Sequence, residues 1–92
     1  MANEVRKNTE RSRYELYDDE ELVGIADYEL VGDQIVFPHT EITPPRRGQG
    51  LGAELVAAAL DDVRGSGRGV VPRCWYVAEF IRDNPGYADL LA

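Results

Sequence analysis

A chain of 92 residues, 43% hydrophobic and 29% charged, allows one hydrophobic core and leaves no room for a second domain. Its formal charge of -7 at pH 7 argues against nucleic acid as a partner, because phosphate backbones are bound by basic surfaces, and suits a cationic substrate such as an amine. No apolar run approaches the roughly 20 residues that cross a membrane, and Met1-Ala2-Asn3-Glu4-Val5-Arg6 lacks the apolar centre of a signal peptide, so no membrane partner and a cytoplasmic location are expected.

Residues 1–9 are polar and charged with little to bury, and read as a frayed tail ahead of a domain over residues 10–92. Arg13-Tyr14-Glu15-Leu16-Tyr17 alternates as a strand does, and the acidic run Asp18-Asp19-Glu20-Glu21 reads as a hairpin turn. In the next strand Leu22, Gly24, Ala26, Tyr28 and Leu30 share one face, with Asp27 and Glu29 on the other. Gly32-Asp33 turns the chain into a strand over residues 35–42. Pro38 cannot donate to a ladder there, which predicts a bulge or an edge position.

A glycine-rich loop, Thr43-Pro44-Pro45-Arg46-Arg47-Gly48-Gln49-Gly50-Leu51-Gly52, then runs into a helix whose apolar stripe is Leu51, Leu55, Val56, Ala59, Leu60 and Val63. Gly65-Ser66-Gly67 ends it, Val70 and Val71 begin a short buried strand, and residues 75–82 form a second helix with Val77, Phe80 and Ile81 inward. Asn84-Pro85-Gly86 breaks that helix. The expected class is α+β, an antiparallel meander followed by a parallel strand pair around the loop helix.

The loop builds an anion site. Glycines at alternate positions let the backbone curl tightly and bring its N–H groups near a ligand, and the helix adds unpaired N–H groups and the positive end of its dipole. Phosphate is the natural guest. A P-loop is excluded because no lysine follows the glycines. Gly48, Gly50 and Ala53 match a dinucleotide fingerprint only nominally: two prolines precede them, and Gly67-Arg68-Gly69 stands where a ribose-binding acid is expected. Arg46 and Arg47 form a basic island, with no acid between Glu41 and Glu54.

The pattern Arg/Gln-x-x-Gly-x-Gly/Ala is met by Arg47, Gly50 and Gly52, and resembles the pyrophosphate loop of the GNAT superfamily of acyl-CoA-dependent N-acetyltransferases. The upstream strand Ile35-Val36-Phe37-Pro38-His39-Thr40-Glu41-Ile42 looks like the one that precedes this loop in the small stand-alone, general-control-type members. Downstream, Val70-Val71-Pro72-Arg73-Cys74-Trp75-Tyr76-Val77 and Asn84-Pro85-Gly86-Tyr87-Ala88-Asp89-Leu90-Leu91 look like their closing strand, cysteine-bearing turn and terminal helix. The resemblance implies a GNAT-like fold, shorter than the larger enzymes, in which acetyl-CoA (or coenzyme A) is the cofactor. By it, Thr40, Glu41 and Ile42 would face the pantetheine and acyl group, and Arg47, Gly48, Gln49, Gly50, Leu51 and Gly52 the pyrophosphate; Arg46 joins these cofactor-binding residues through the basic island. An amine or protein would be the acceptor, with a partner protein as one way to complete the open acceptor side.

Three residues are candidates for the chemistry. Cys74 lies where a strand ends and a helix begins, next to Arg73, a setting that favours thiolate; the resemblance puts it near the acyl thioester, and the alternative is a small buried hydrophobe. His39, the lone histidine, and Glu41 are candidate bases; Glu79, Tyr76 and Tyr87 are further proton carriers. One histidine and one cysteine, widely separated, give no metal-ligand spacing, so no metal is expected. The expected activity is N-acetyl transfer to an amine; the alternative is a non-catalytic acyl-CoA-binding or interaction module.

Overall fold

The computed structural model describes residues 3–92 and forms a five-stranded sheet in the order β1-β2-β3-β4-β5, with two helices packed on it. The strands are β1 (Asn3–Asn8), β2 (Arg13–Asp18), β3 (Glu21–Val31), β4 (Gln34–Ile42) and β5 (Gly69–Pro72); the helices are α1 (Leu51–Arg64) and α2 (Trp75–Asp83). The first four strands form an antiparallel meander, and β4 and β5 are parallel, joined by α1 as a crossover.

The expectation of a frayed tail fails over residues 3–8, which form β1; its part over residues 1 and 2 lies outside the described residues. Each β1 residue pairs with β2, Val5 opposite Leu16 and Lys7 opposite Tyr14. Only Val5 packs on the core. Lys7 instead lies over the rings of Tyr14 and Tyr28 and meets Asp62 of α1 at 3.5 Å, while Asn3 donates to Glu54 of α1 at 3.1 Å. A charged, sparsely apolar segment is what a protected sheet edge looks like, so its low hydrophobicity was misleading.

The alternation predicted for β3 holds at Gly24, Ala26 and Tyr28 and fails at its ends. Leu16 faces Gly24 but Tyr17 faces Leu22, so Val23 is an extra residue that takes the core position, and Leu22 shifts to the edge of it. Leu30 is exposed although its cross-strand partner Ile35 is buried. The Pro38 expectation is met: Asp27 faces His39 and Glu29 faces Val36, so Tyr28 opposes both Phe37 and Pro38 in a bulge.

The core lies between one face of the sheet and both helices. Val56, Ala59 and Leu60 of α1 and Val77 of α2 close on Ala26 and Phe37 of the sheet, and Leu55, Val63 and Ile81 are also buried there. Phe80, expected inward, is partly buried against this cluster. A 3-10 turn over Pro85–Leu90 folds back onto α1, held by Arg64 to Asp89 at 2.7 Å and Tyr87 to Asp61 at 2.8 Å. Gly24 is needed for close approach, since a Cβ there would lie 2.6 Å from Cδ1 of Ile42.

Candidate functional site

The parallel pairing of β4 and β5 stops at Phe37 and Pro72. A last link, the Cys74 N–H donating to the Phe37 carbonyl at 2.8 Å, turns the chain into α2, and beyond it the two segments part. From Pro38 onward β4 therefore pairs only with β3, and residues 40–42 present their other edge to a cleft of about 600 Å³. The parting coincides with the bulge at Pro38, which locally bends and twists β4.

One wall of the cleft is the strand segment His39, Thr40, Glu41 and Ile42; the other is Trp75 and Tyr76 at the start of α2. The floor is the glycine loop, with Arg46, Arg47, Gly48, Gly50, Leu51 and Gly52. Thus nine of the ten residues expected at a cofactor converge; Gln49 is exposed but does not line the cleft. Gly48 and Gly50 have φ of 80° and 77°, and a Cβ at either would meet no atom within 4 Å. The loop is therefore left-handed and open, as backbone that must approach a ligand requires. Gly50 caps α1 with no side-chain hydrogen bond, so the first-turn N–H groups of the helix face the cleft uncapped.

The two arginines part company. Arg47 donates from Nε to the Ile42 carbonyl at 3.1 Å and stays exposed beside the glycines. Arg46 is drawn across to the β2–β3 hairpin, where it pairs with buried Asp18 and reaches Glu21 at 3.4 Å. Its charge is committed to those carboxylates, and the basic island narrows to Arg47 and the backbone.

Gly52 serves a different purpose from Gly50. The Tyr76 phenol lies over it so closely that a Cβ would sit 2.7 Å from the hydroxyl oxygen. Burial, and then the Glu79 carboxylate, raise the Tyr76 pKa, so the phenol is held neutral. Cys74 is 8% exposed and lies behind the wall: its Sγ is 3.6 Å from Oγ1 of Thr40, which does line the cleft. His39 and Glu41 form a surface pair, Nε2 to Oε1 at 3.1 Å, on the rim. Tyr87 is bound to Asp61, and Glu79 pairs with Arg82 at 3.2 Å; neither lines the cleft.

A family model described as GCN5-related N-acetyl-transferase matches residues 13–90. The chain belongs to that family. Among curated relatives of this GNAT chain, Protein NATD1 of Bos taurus is 41% identical over 59 residues, which are 63% of this chain and 52% of that one. Protein NATD1 of Homo sapiens is 39% identical over 59 residues, again 63% of this chain and 52% of the relative. The chain thus spans about half the length of the curated relatives it matches. Among solved structures, a GCN5-like protein from Staphylococcus aureus superposes with a TM-score of 0.74 at 19% identity, over 97% of this chain and 87% of that one. The ribosomal-protein-S18-alanine N-acetyltransferase of Escherichia coli gives 0.62 at 20% identity, over 65% and 39%. Both carry the GNAT fold expected for the sequence.

Trp75 is the residue of this GNAT cleft that sequence reading missed. The sequence marks it only as the start of a helix, yet the residue is 72% exposed and lines the cleft. The available signal was a large apolar side chain at the first turn of a helix whose inward stripe begins two residues later.

Proposed function

We propose that the protein is an acetyl-CoA-dependent N-acetyltransferase that moves an acetyl group to an amine. The observation that carries the reading is the coincidence of a left-handed, uncapped glycine loop with the point where β4 and β5 part. Nothing in family membership requires these particular side chains to converge in one cleft.

The residues present fit the cofactor. Gly48, Gly50 and the first-turn N–H groups of α1 would hold the pyrophosphate, with Arg47 adding charge from the side. The open edge of β4 at residues 40–42 offers backbone groups to the amides of a pantetheine arm, and N–H donors to a thioester carbonyl oxygen. Acetyl-CoA supplies the activated acyl group; orientation and proton movement fall to the chain. The His39–Glu41 pair is placed to accept the proton that an ammonium must lose before it attacks. The neutral Tyr76 phenol is a proton donor for the departing sulfur. The amine gives up two protons in all: one goes to the rim pair before attack, and the second, from the newly bonded nitrogen, replaces the proton that Tyr76 gives to the departing sulfur, so that carbon–nitrogen bond formation and carbon–sulfur cleavage balance. Cys74, buried behind Thr40, packs the wall in this reading rather than attacking.

Calorimetry with acetyl-CoA, followed by thiol release over a panel of amines and peptides, tests the proposal. Binding with thiol release supports transfer. Binding without release from any acceptor supports a non-catalytic acyl-CoA-binding module, and no binding removes both.

A further inference from the structure

Resting on the acyl-transfer reading, we propose that Trp75 and Glu41 form an acceptor subsite for an alkylammonium group, the protonated primary amine of a slender aliphatic chain. Trp75 is the first residue of α2, and the Cys74 N–H bond to Phe37 fixes it beside the point where β4 and β5 part. Its neighbours Tyr76 and Phe80 pack against the core, whereas Trp75 stays 72% exposed. Burial therefore does not explain an indole at this place. The Trp75 and Tyr76 rings stand at 78° with centroids 5.7 Å apart, forming a corner rather than a stack, so indole surface remains open to the cleft.

Charge selects the occupant. Glu41 lines the same cleft, is more than half exposed, and among the described residues its side chain is paired only with His39. Arg46 is held by Asp18 and Arg47 lies back on Ile42, so neither neutralises Glu41. An open indole and an exposed carboxylate lining one cleft suit a cation with an apolar stem, the ammonium drawn to the carboxylate and the stem lying along the indole. A neutral or anionic acceptor gains neither contact, and the overall charge of -7 concentrates cations around the molecule. Free diamines and lysine side chains share this chemistry.

The chain has one tryptophan, so indole fluorescence reports Trp75 alone. Cadaverine, Nα-acetyl-lysine amide and neutral 1,5-pentanediol are each titrated into the protein with and without coenzyme A. Either amine should change the emission saturably, with the diol at least about tenfold weaker. Tighter binding of cadaverine assigns the subsite to free diamines, and tighter binding of the lysine amide to protein side chains. In thiol release with the better amine, Trp75→Ala should raise KM about 5- to 10-fold, more than it lowers kcat, and Trp75→Phe should recover most of the loss. Equal responses to amine and diol, or no response in either state of the protein, would overturn the proposal. So would a Trp75→Ala variant whose coenzyme A affinity falls as far as its amine affinity, because the indole would then belong to the cofactor. Calorimetry of the unaltered protein with coenzyme A is separate: its failure removes the transferase reading, while the amine titration still decides Trp75.

Discussion

Gly50 and Gly52 sit two residues apart in one loop, and the same substitution should fail for different reasons. At Gly50 there is open space, but a φ of 77° disfavours a branched side chain, so Gly50→Val should deform the loop and lower acetyl-CoA affinity by more than about tenfold. At Gly52 the obstacle is the Tyr76 phenol. Gly52→Ala should cost about 1–3 kcal/mol, and the cost should largely vanish in a Tyr76→Ala background. A double-mutant cycle in urea measures that coupling; an additive result would separate the two residues. Arg47→Ala should weaken binding by only about 3- to 10-fold, since the backbone donors remain. Arg46→Ala should instead reduce stability, by about 2 kcal/mol, because it strands the Asp18 carboxylate, whose Oδ1 is buried without a partner among the described residues. If Arg46→Ala lost affinity at unchanged stability, its charge would serve the ligand after all. For Cys74→Ala the expectation is a mild change in activity and about 1 kcal/mol of stability, and an acetyl adduct on Cys74 by mass spectrometry would contradict it.

At the scale of elements, the loop was legible because its conformation is written in residue types that have few alternatives. Glycines at left-handed positions, a proline that breaks a ladder, and a helix stripe at 3.6-residue spacing each constrain the backbone locally. β1 was illegible for the opposite reason. Its stability comes from partners far along the chain, Lys7 with Asp62 and Asn3 with Glu54, and an isolated segment shows none of them. The Arg46 pairing with Asp18 is hidden in the same way, and so the basic island was overstated. Removing residues 1–8 should accordingly lower the melting temperature, where loss of a true tail would leave it unchanged. The β1–β2 ribbon also carries a pH signature. Burial alone would raise the pKa of Glu15, but hydrogen bonds from Arg13, Asn8 and Tyr17 outweigh it, and the net shift is downward. A depressed carboxylate stabilises the fold above its unfolded value, here 4.5, and that contribution is lost as pH falls through the lower folded value. Glu15→Gln should therefore flatten the loss of stability with acid below about pH 4.5, as read by denaturant melts at stepped pH.

For the molecule as a whole, the cleft opens the sheet of a small domain along the line where β4 and β5 part. Below Phe37 the sheet is continuous; above it, β4 and the start of α2 are joined through the Cys74 N–H bond and the packing of Cys74 on Thr40. A ligand that spans from the glycine loop to residues 40–42 would bridge α1, β4 and α2, and so bind the folded state alone. At a hundredfold excess over its dissociation constant such a ligand stabilises by about 2.7 kcal/mol, which in a domain of this size raises the melting temperature by roughly 10–20 °C. Acetyl-CoA should produce this shift and ATP or NAD should not, because the loop lacks the lysine of a P-loop and follows a bulged strand instead of a buried parallel turn. The Gly50→Val variant supplies the internal control: strain at a φ of 77° should lower its own melting point by several degrees, and the acetyl-CoA shift measured from that lower baseline should collapse. A shift given equally by ATP would reduce the loop to a general phosphate site, and a full shift retained in Gly50→Val would move the cofactor away from the loop altogether.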